Sequence, residues 1–280
     1  MKDPIIKVVD LFFTYPTGVV ALKGINVEIF EREITAIVGQ NGSGKTTLAK
    51  HFNGLLKPTS GAVIVYGKDT RQYKQKELVS RVGYVFQNPT HQLFNTSIEA
   101  EIAFGPTNLG LNPEEVKARV EEAIHMFGLD GYRDVHPLRL SYPYRKLVAI
   151  ASIYAMYPDI MILDEPTIAQ DFFGWMLILK TIKDLKSRGK TVIVITHDML
   201  LVSMIVDRCL VMTDGKIIAD KRPRELFIDE LVLKQAFLKP PQITLLAQRL
   251  SLHDSSIPPS LLTIEEMVEI LSTKLNCFKQ

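Results

Sequence analysis

The sequence predicts an α/β chain: a largely parallel central sheet, strands at the N-terminal end, helix inserted between two core strands, and a small helical tail. Three observations lead there. Several short apolar runs are continuous rather than alternating, the pattern of strands buried on both faces of a sheet. One of them, Ile34 to Val38, runs straight into a glycine-rich stretch and then a helical pattern. Between about Ser97 and Met156 the apolar spacing changes from strand-like to helical.

Taken in order, Ile5 to Val9 and Val19 to Phe30, the latter interrupted at Gly24, read as strands separated by the turn-prone Tyr15-Pro16-Thr17-Gly18. Ile34 to Val38 is a strand and Thr46 to Leu55 a helix. Further strands are expected at Ala62 to Tyr66, Gly83 to Phe86, Ile160 to Leu163, Val192 to Thr196 and Cys209 to Met212, with Asp214-Gly215 as a hairpin turn. Within the inserted block, Asn112-Pro113-Glu114-Glu115 supplies an N-cap, a proline at the first helical position and early acids; Val116, Val120, Ile124 and Phe127 follow at helical spacing. Leu177 to Arg188 reads as an amphipathic helix ended by Gly189. After Pro240-Pro241 come two short helical patterns, Ile243 to Leu250 and Ile264 to Leu275, across a Ser- and Pro-containing linker. The expected division is a main domain over 1–236, its helical subdomain at about 97–156, and a C-terminal helical extension over 237–280.

A chain of 280 residues, 46% hydrophobic, can bury a sizeable core. Its 33 basic and 31 acidic residues leave a formal charge of +2, which gives no electrostatic case for a nucleic-acid partner. Cys209 and Cys277 have no metal-ligand spacing and form no disulfide framework. No run approaches the ~20 apolar residues of a spanning helix, and Met1-Lys2-Asp3-Pro4 opens no signal-peptide segment, so membrane contact is expected to be peripheral.

Gly39-Gln40-Asn41-Gly42-Ser43-Gly44-Lys45-Thr46, followed by Thr47, matches the G-x-x-x-x-G-K-[ST] phosphate loop. The glycines let successive N–H groups point at phosphate oxygens, Lys45 neutralises the β and γ phosphates, and the Thr46 hydroxyl ligates Mg²⁺. A chance match in a chain of this length has a probability of roughly 1% from average composition. Ile160-Met161-Ile162-Leu163-Asp164-Glu165 is an apolar strand ending in two carboxylates at the sheet edge where a phosphate loop lies. Asp164 would hold Mg²⁺, and Glu165 would polarise the attacking water. ATP and Mg²⁺ are therefore the expected ligands.

With these motifs in this order, the chain resembles the ABC ATPase family over nearly its whole length. The implied fold is α/β, a P-loop NTPase core of ABC ATPase type with an inserted helical subdomain, an N-terminal β-subdomain and a small C-terminal helical tail. The resemblance makes Tyr15 the aromatic that stacks on adenine. It makes Gln87 the glutamine that touches Mg²⁺ or the water and relays nucleotide state to the membrane subunit. It makes His197 the switch histidine at the γ-phosphate and Asp171 the end of a loop that communicates across a dimer. Taken alone, each has a plainer explanation: a turn aromatic, a solvated loop residue, a surface histidine, a helix cap. Two stretches, Gln87-Asn88-Pro89-Thr90-His91-Gln92-Leu93-Phe94 with Ala103-Phe104-Gly105-Pro106, and Lys239-Pro240-Pro241-Gln242-Ile243-Thr244, resemble the energy-coupling-factor importers of transition-metal ions and vitamins. His91 is read as a loop histidine rather than a metal ligand.

One family motif is altered. Where the family has L-S-G-G-Q, which binds the γ-phosphate held by the opposite subunit, this chain has Leu140-Ser141-Tyr142-Pro143-Tyr144. Ser141 remains as a phosphate contact, but Pro143 has no N–H and Tyr142 puts a ring where backbone approaches phosphate. Proline is tolerated in a first helical turn, so a helix from Arg145 to Met156 is still expected. Thr167-Ile168-Ala169-Gln170-Asp171 also departs, at Ile168 and Gln170. The implied partners are a second ATPase subunit, with a heterodimer favoured over a homodimer, an integral membrane coupling subunit and a substrate-binding membrane subunit, at the cytoplasmic face of the membrane. A hydrolysis-poor nucleotide-binding scaffold is the alternative. A soluble repair or translation relative lacks support, because neither a long coiled-coil insertion nor a second cassette is present.

Overall fold

The computed structural model describes residues 3–277; Met1 and Lys2 of the opening stretch, and residues 278–280 at the end of the expected extension, lie outside the described residues. The chain opens with the hairpin β1 (Ile6–Thr14) and β2 (Val20–Ile29). β3 (Ile34–Val38) enters the core and leads to α1 (Lys45–Phe52), after which β4 (Ser60–Val65) and β5 (Lys68–Asp69) return to the first sheet. α2 (Gln75–Arg81) and β6 (Val82–Val85) precede the inserted helices α3 (Ile98–Leu109), α4 (Pro113–Met126) and α5 (Tyr142–Tyr154). The core resumes with β7 (Ile160–Asp164), α6 (Phe172–Ser187), β8 (Thr191–Ile195), α7 (Met199–Ile205) and the hairpin β9 (Arg208–Thr213) with β10 (Lys216–Lys221). α8 (Pro223–Phe227), α9 (Glu230–Ala236), α10 (Gln242–Ser251) and α11 (Ile264–Cys277) follow.

Among the described residues the strands form two sheets. An antiparallel sheet has the order β2-β1-β4-β5, and a second has the order β10-β9-β3-β8-β7-β6, parallel except at the β9–β10 hairpin. The continuous apolar runs have the expected cause. Along β7, Met161 and Leu163 pack with the inserted helices and α6, while Ile160 and Ile162 pack with the antiparallel sheet and α1. Both faces of the parallel sheet are therefore covered. A smaller core of Ala247, Ile257, Leu261 and Met267 holds α10 and α11 together.

Several boundaries differ from expectation, each for a local reason. Gly24 does not interrupt the second strand but forms a bulge in it, at φ +73°, between the pairs Leu11–Ile25 and Phe12–Lys23. α6 starts at Phe172 rather than Leu177, because the Asp171 side chain caps it by accepting from Gly174 N at 2.8 Å. Its first turn exposes Phe172 and Phe173, which hides the amphipathic pattern. α5 starts at Tyr142 rather than Arg145 and accommodates Pro143 in its first turn. Cys209 is a buried free thiol in β9, pushed up to about 12 by burial.

Candidate active site

β3, β6, β7 and β8 end at one edge of the parallel sheet, and each delivers polar residues there: the phosphate loop after β3, Gln87 after β6, Asp164 and Glu165 at the end of β7, and His197 after β8. β8 lies between β3 and β7, so the loop and the two carboxylates face each other across its end. A cleft of about 460 Å³ opens there, lined by Tyr15, Val19, Val20, Gln87 and Glu165 and by Asn41, Gly42, Gly44, Lys45, Thr46 and Thr47 of the loop and helix start.

The loop's tight curl depends on glycine. At Gly39 (φ +142°) a Cβ would lie 2.1 Å from Met212 O, and at Gly44 (φ +100°) 2.8 Å from Ala21 O. Lys45 folds back over the loop, donating from Nζ to Gly39 O (2.8 Å) and Gln40 O (2.9 Å). Burial lowers its pKa, opposed by the charges of Glu165 and Asp164. Ser43 Oγ is buried with no hydrogen-bond partner among the described residues, and α1 begins without a side-chain cap. An orphaned hydroxyl, an ammonium held only by loop carbonyls and uncapped helix N–H groups are the donor set of a phosphate site, so these residues fit ATP.

Thr46 Oγ1 donates to Asp164 at 3.0 Å (Oδ2) and 3.2 Å (Oδ1). A hydroxyl beside a buried carboxylate next to a phosphate site is the hard-oxygen set that Mg²⁺ prefers, so the residues fit that ion as well. Glu165 is buried, adopts a left-handed φ of +48°, and is anchored by its N–H to Ile195 O at 2.8 Å. Its Oε2 lies 2.9 Å from Nδ1 of the exposed His197 ring. Such backbone strain in a non-glycine residue persists only where its surroundings enforce it, here by the bond from its N–H to Ile195 O. Tyr15 is set by a 2.9 Å hydrogen bond between its hydroxyl and Thr47 Oγ1 and by edge packing on Phe13.

Ser141 and Asp171 stand apart from this cleft. Ser141 is exposed at the start of α5, and Asp171 caps α6. The altered stretch is bonded inward. Tyr142 donates its hydroxyl to Gln87 O at 3.3 Å, Gln170 Nε2 donates to Pro143 O at 3.1 Å, and Arg145 donates to the carbonyls of Leu138 and Leu140.

Sequence reasoning missed two residues here. Lys146 is fully buried, and its ammonium donates to Gln87 O (2.6 Å), Phe86 O (3.1 Å) and Asp164 O (3.1 Å), joining the start of α5 to the Gln87 loop and the end of β7. Burial pushes its pKa down to about 8 against the pull of Asp164 and Glu165. Tyr84, in the wholly buried β6, donates its hydroxyl to Asp164 Oδ2 at 2.8 Å. The available signals were a lysine beside the continuous apolar run Leu147–Ala151 and a phenol in an apolar strand, each of which needs a partner once buried.

A family model described as ABC transporter matches residues 22–168. The energy-coupling factor transporter ATP-binding protein EcfA of Methanocaldococcus jannaschii is 43% identical over 90% of this chain and 91% of its own length. A relative from Caldanaerobacter subterraneus is 46% identical over 95% of this chain, which spans 46% of that relative's length. Among solved structures, cbiO1 of Clostridium perfringens, described as part of the ABC transporter complex cbiONQ, superposes with a TM-score of 0.72 at 38% identity, covering 86% of this chain and 98% of that one. With the fold and the motif order, these likenesses establish that the chain belongs to the ABC transporter ATPases, among the ATP-binding proteins of energy-coupling factor type.

Proposed function

We propose that residues 1–236 form the ATPase domain of a peripheral subunit at the cytoplasmic face of the membrane. It would power import of a transition-metal ion or vitamin through separate membrane subunits, with 237–280 as a helical extension. The observation that carries the hydrolytic part is the convergence of Lys45, the Thr46–Asp164 pair and the Glu165–His197 pair on one cleft beside Tyr15. Tyr15 stacks on adenine, while Gly39 to Thr47 wrap the phosphates. Glu165 takes a proton from the attacking water as its oxygen bonds to the γ-phosphorus and the bond to the β-phosphate oxygen breaks, giving ADP and phosphate. His197 holds the Glu165 carboxylate and faces the transferred group. Mg²⁺, held by Thr46, Asp164 and the Gln87 side chain, supplies charge that offsets the phosphate oxygens.

The membrane coupling subunit is expected at a groove of about 520 Å³ between the inserted helices and α2, with Phe94, Phe104, Leu109, Ile153 and Met156 in its walls. The two parts of the first stretch resembling energy-coupling-factor proteins, Gln87 to Phe94 and Ala103 to Pro106, meet there, the Phe94 and Phe104 rings packing edge to face at 4.8 Å. Gln92 ties the groove to the nucleotide side by accepting from Phe86 N and donating to Ala149 O. The second ATPase subunit would bring its own signature to this chain's cleft, and a heterodimer is favoured because this chain's signature is altered. Lys45→Ala tests the core of the proposal: ATP affinity in a direct titration is expected to fall by at least tenfold, and an unchanged affinity removes the phosphate loop from its role.

A further inference from the structure

We propose that Tyr84 is a positioning residue for the divalent cation, fixing the Asp164 carboxylate so that one defined oxygen is presented beside Thr46. The proposal rests on Thr46 and Asp164 being the cation ligands. Asp164 is buried, and its two oxygens accept from two hydroxyls. Thr46 straddles both oxygens at nearly equal distance and so does not set the rotation of the carboxylate. Tyr84 touches Oδ2 alone, at 2.8 Å, and breaks that symmetry, leaving Oδ1 as the oxygen with fewer protein partners.

The phenol is itself rigidly held. Tyr84 pairs with Ile162 in the neighbouring strand, two residues before Asp164, and its ring is buried against Phe86, 5.1 Å between centroids. β6 therefore serves the site twice: through Gln87 at its end and through the Tyr84 hydroxyl along its length. A small ion with strict octahedral demands depends on the angle of a carboxylate more than a larger, adaptable ion does. Loss of the Tyr84 hydroxyl is thus expected to penalise Mg²⁺ more than Ca²⁺, on the scale of about 10- to 100-fold typical for groups that orient a metal ligand.

The test is ATP titration of the full chain without metal, with Mg²⁺ and with Ca²⁺, for the native protein, Tyr84→Phe and Asp164→Asn. In Tyr84→Phe the metal-free affinity is expected to stay within about twofold, while the Mg²⁺ concentration needed for half-saturation rises by about tenfold or more and that for Ca²⁺ rises less. Equal Mg²⁺ requirements in native protein and Tyr84→Phe, with Asp164→Asn impaired, overturn the role of Tyr84 and leave the ligands standing. An Asp164→Asn variant with native Mg²⁺ dependence overturns the ligand assignment itself. Equal losses with and without metal mark a purely structural tyrosine and also overturn the proposal. Should Tyr84→Phe fold poorly by thermal melt, Tyr84→Leu is read in the same titrations.

Discussion

The phosphate loop and the start of α5 are built in opposite ways. Around the phosphate loop, polar groups are bent toward a cavity and left under-satisfied: Ser43 Oγ has no partner among the described residues, and Lys45 holds only two carbonyls of its own loop. At the start of α5 Tyr142 is bonded to Gln87, the Pro143 carbonyl to Gln170, and Arg145 and Lys146 to backbone carbonyls, while Ser141 at the N-cap makes no side-chain capping bond among the described residues. A binding site keeps unmet hydrogen-bonding capacity that a ligand can fill, whereas a structural joint does not. The first region keeps capacity for a ligand, and the second, Ser141 apart, is a joint between the α5 start, the Gln87 loop and the loop before Asp171.

The largest expected effect asks whether this difference is catalytic. In a complex with a different ATPase subunit whose signature is intact, Glu165→Gln in this chain is expected to retain MgATP and to cut turnover by about 10²-fold or more, the scale of general-base catalysis. The matching glutamate change in the partner is expected to cost much less, because that site is completed by Tyr142 and Pro143. Steady-state ATPase rates of the two single variants decide the matter: equal losses break the comparison.

A smaller effect sharpens it. Replacing Tyr142 and Pro143 by glycine and Tyr144 by glutamine restores one backbone donor, the N–H of residue 143, and removes the Tyr142 ring from the start of α5, where a donor to a developing charge is typically worth ~2.7 to 4 kcal/mol. The same change removes the Tyr142–Gln87 hydrogen bond and puts glycine in the first turn of a helix. The net expectation is a gain of about tenfold at the partner's phosphate loop, or ~1.4 kcal/mol of barrier. It is measured with Glu165→Gln present, so that this chain's own site is silent. No gain shows that the joint, and not the missing N–H of Pro143, limits that site.

Legibility follows the same division. The strand order of motifs, the phosphate loop and the acids after β7 could be read because each obeys a local rule: continuous apolar runs, glycines at fixed spacing, a strand that ends in carboxylates. Tyr84 and Lys146 obey none, since their roles come from pairing of β6 with β7 and from α5 lying against the ends of both strands. The start of α6 was misplaced because Phe172, Phe173 and Met176 are exposed and spoil the apolar period that marks a helix facing a core. The short helices α2, α7, α8 and α9 have five to seven residues, too few turns to show a period.

The smallest expected effect concerns Gln170, the residue that ties the two departures from the family pattern together. Its Nε2 donates to Pro143 O, while its Oε1 is buried without a partner among the described residues and lies where a Cβ on Gly174 would sit 2.0 Å away. Gln170→Leu removes one favourable hydrogen bond, worth ~0.5–1.5 kcal/mol, and one orphaned acceptor that costs about as much. The two terms oppose each other, so the melting temperature is expected to move by less than about 2 °C. What changes is the connection. Without the carboxamide, nothing polar among the described residues links the loop before Asp171 to the first turn of α5, and amide hydrogen exchange is expected to accelerate both at 167–171 and at 142–145. Faster exchange confined to 167–171 would show that the α5 start is held by Tyr142, Arg145 and Lys146 alone, and that the altered signature and the altered loop are separate features rather than one joint.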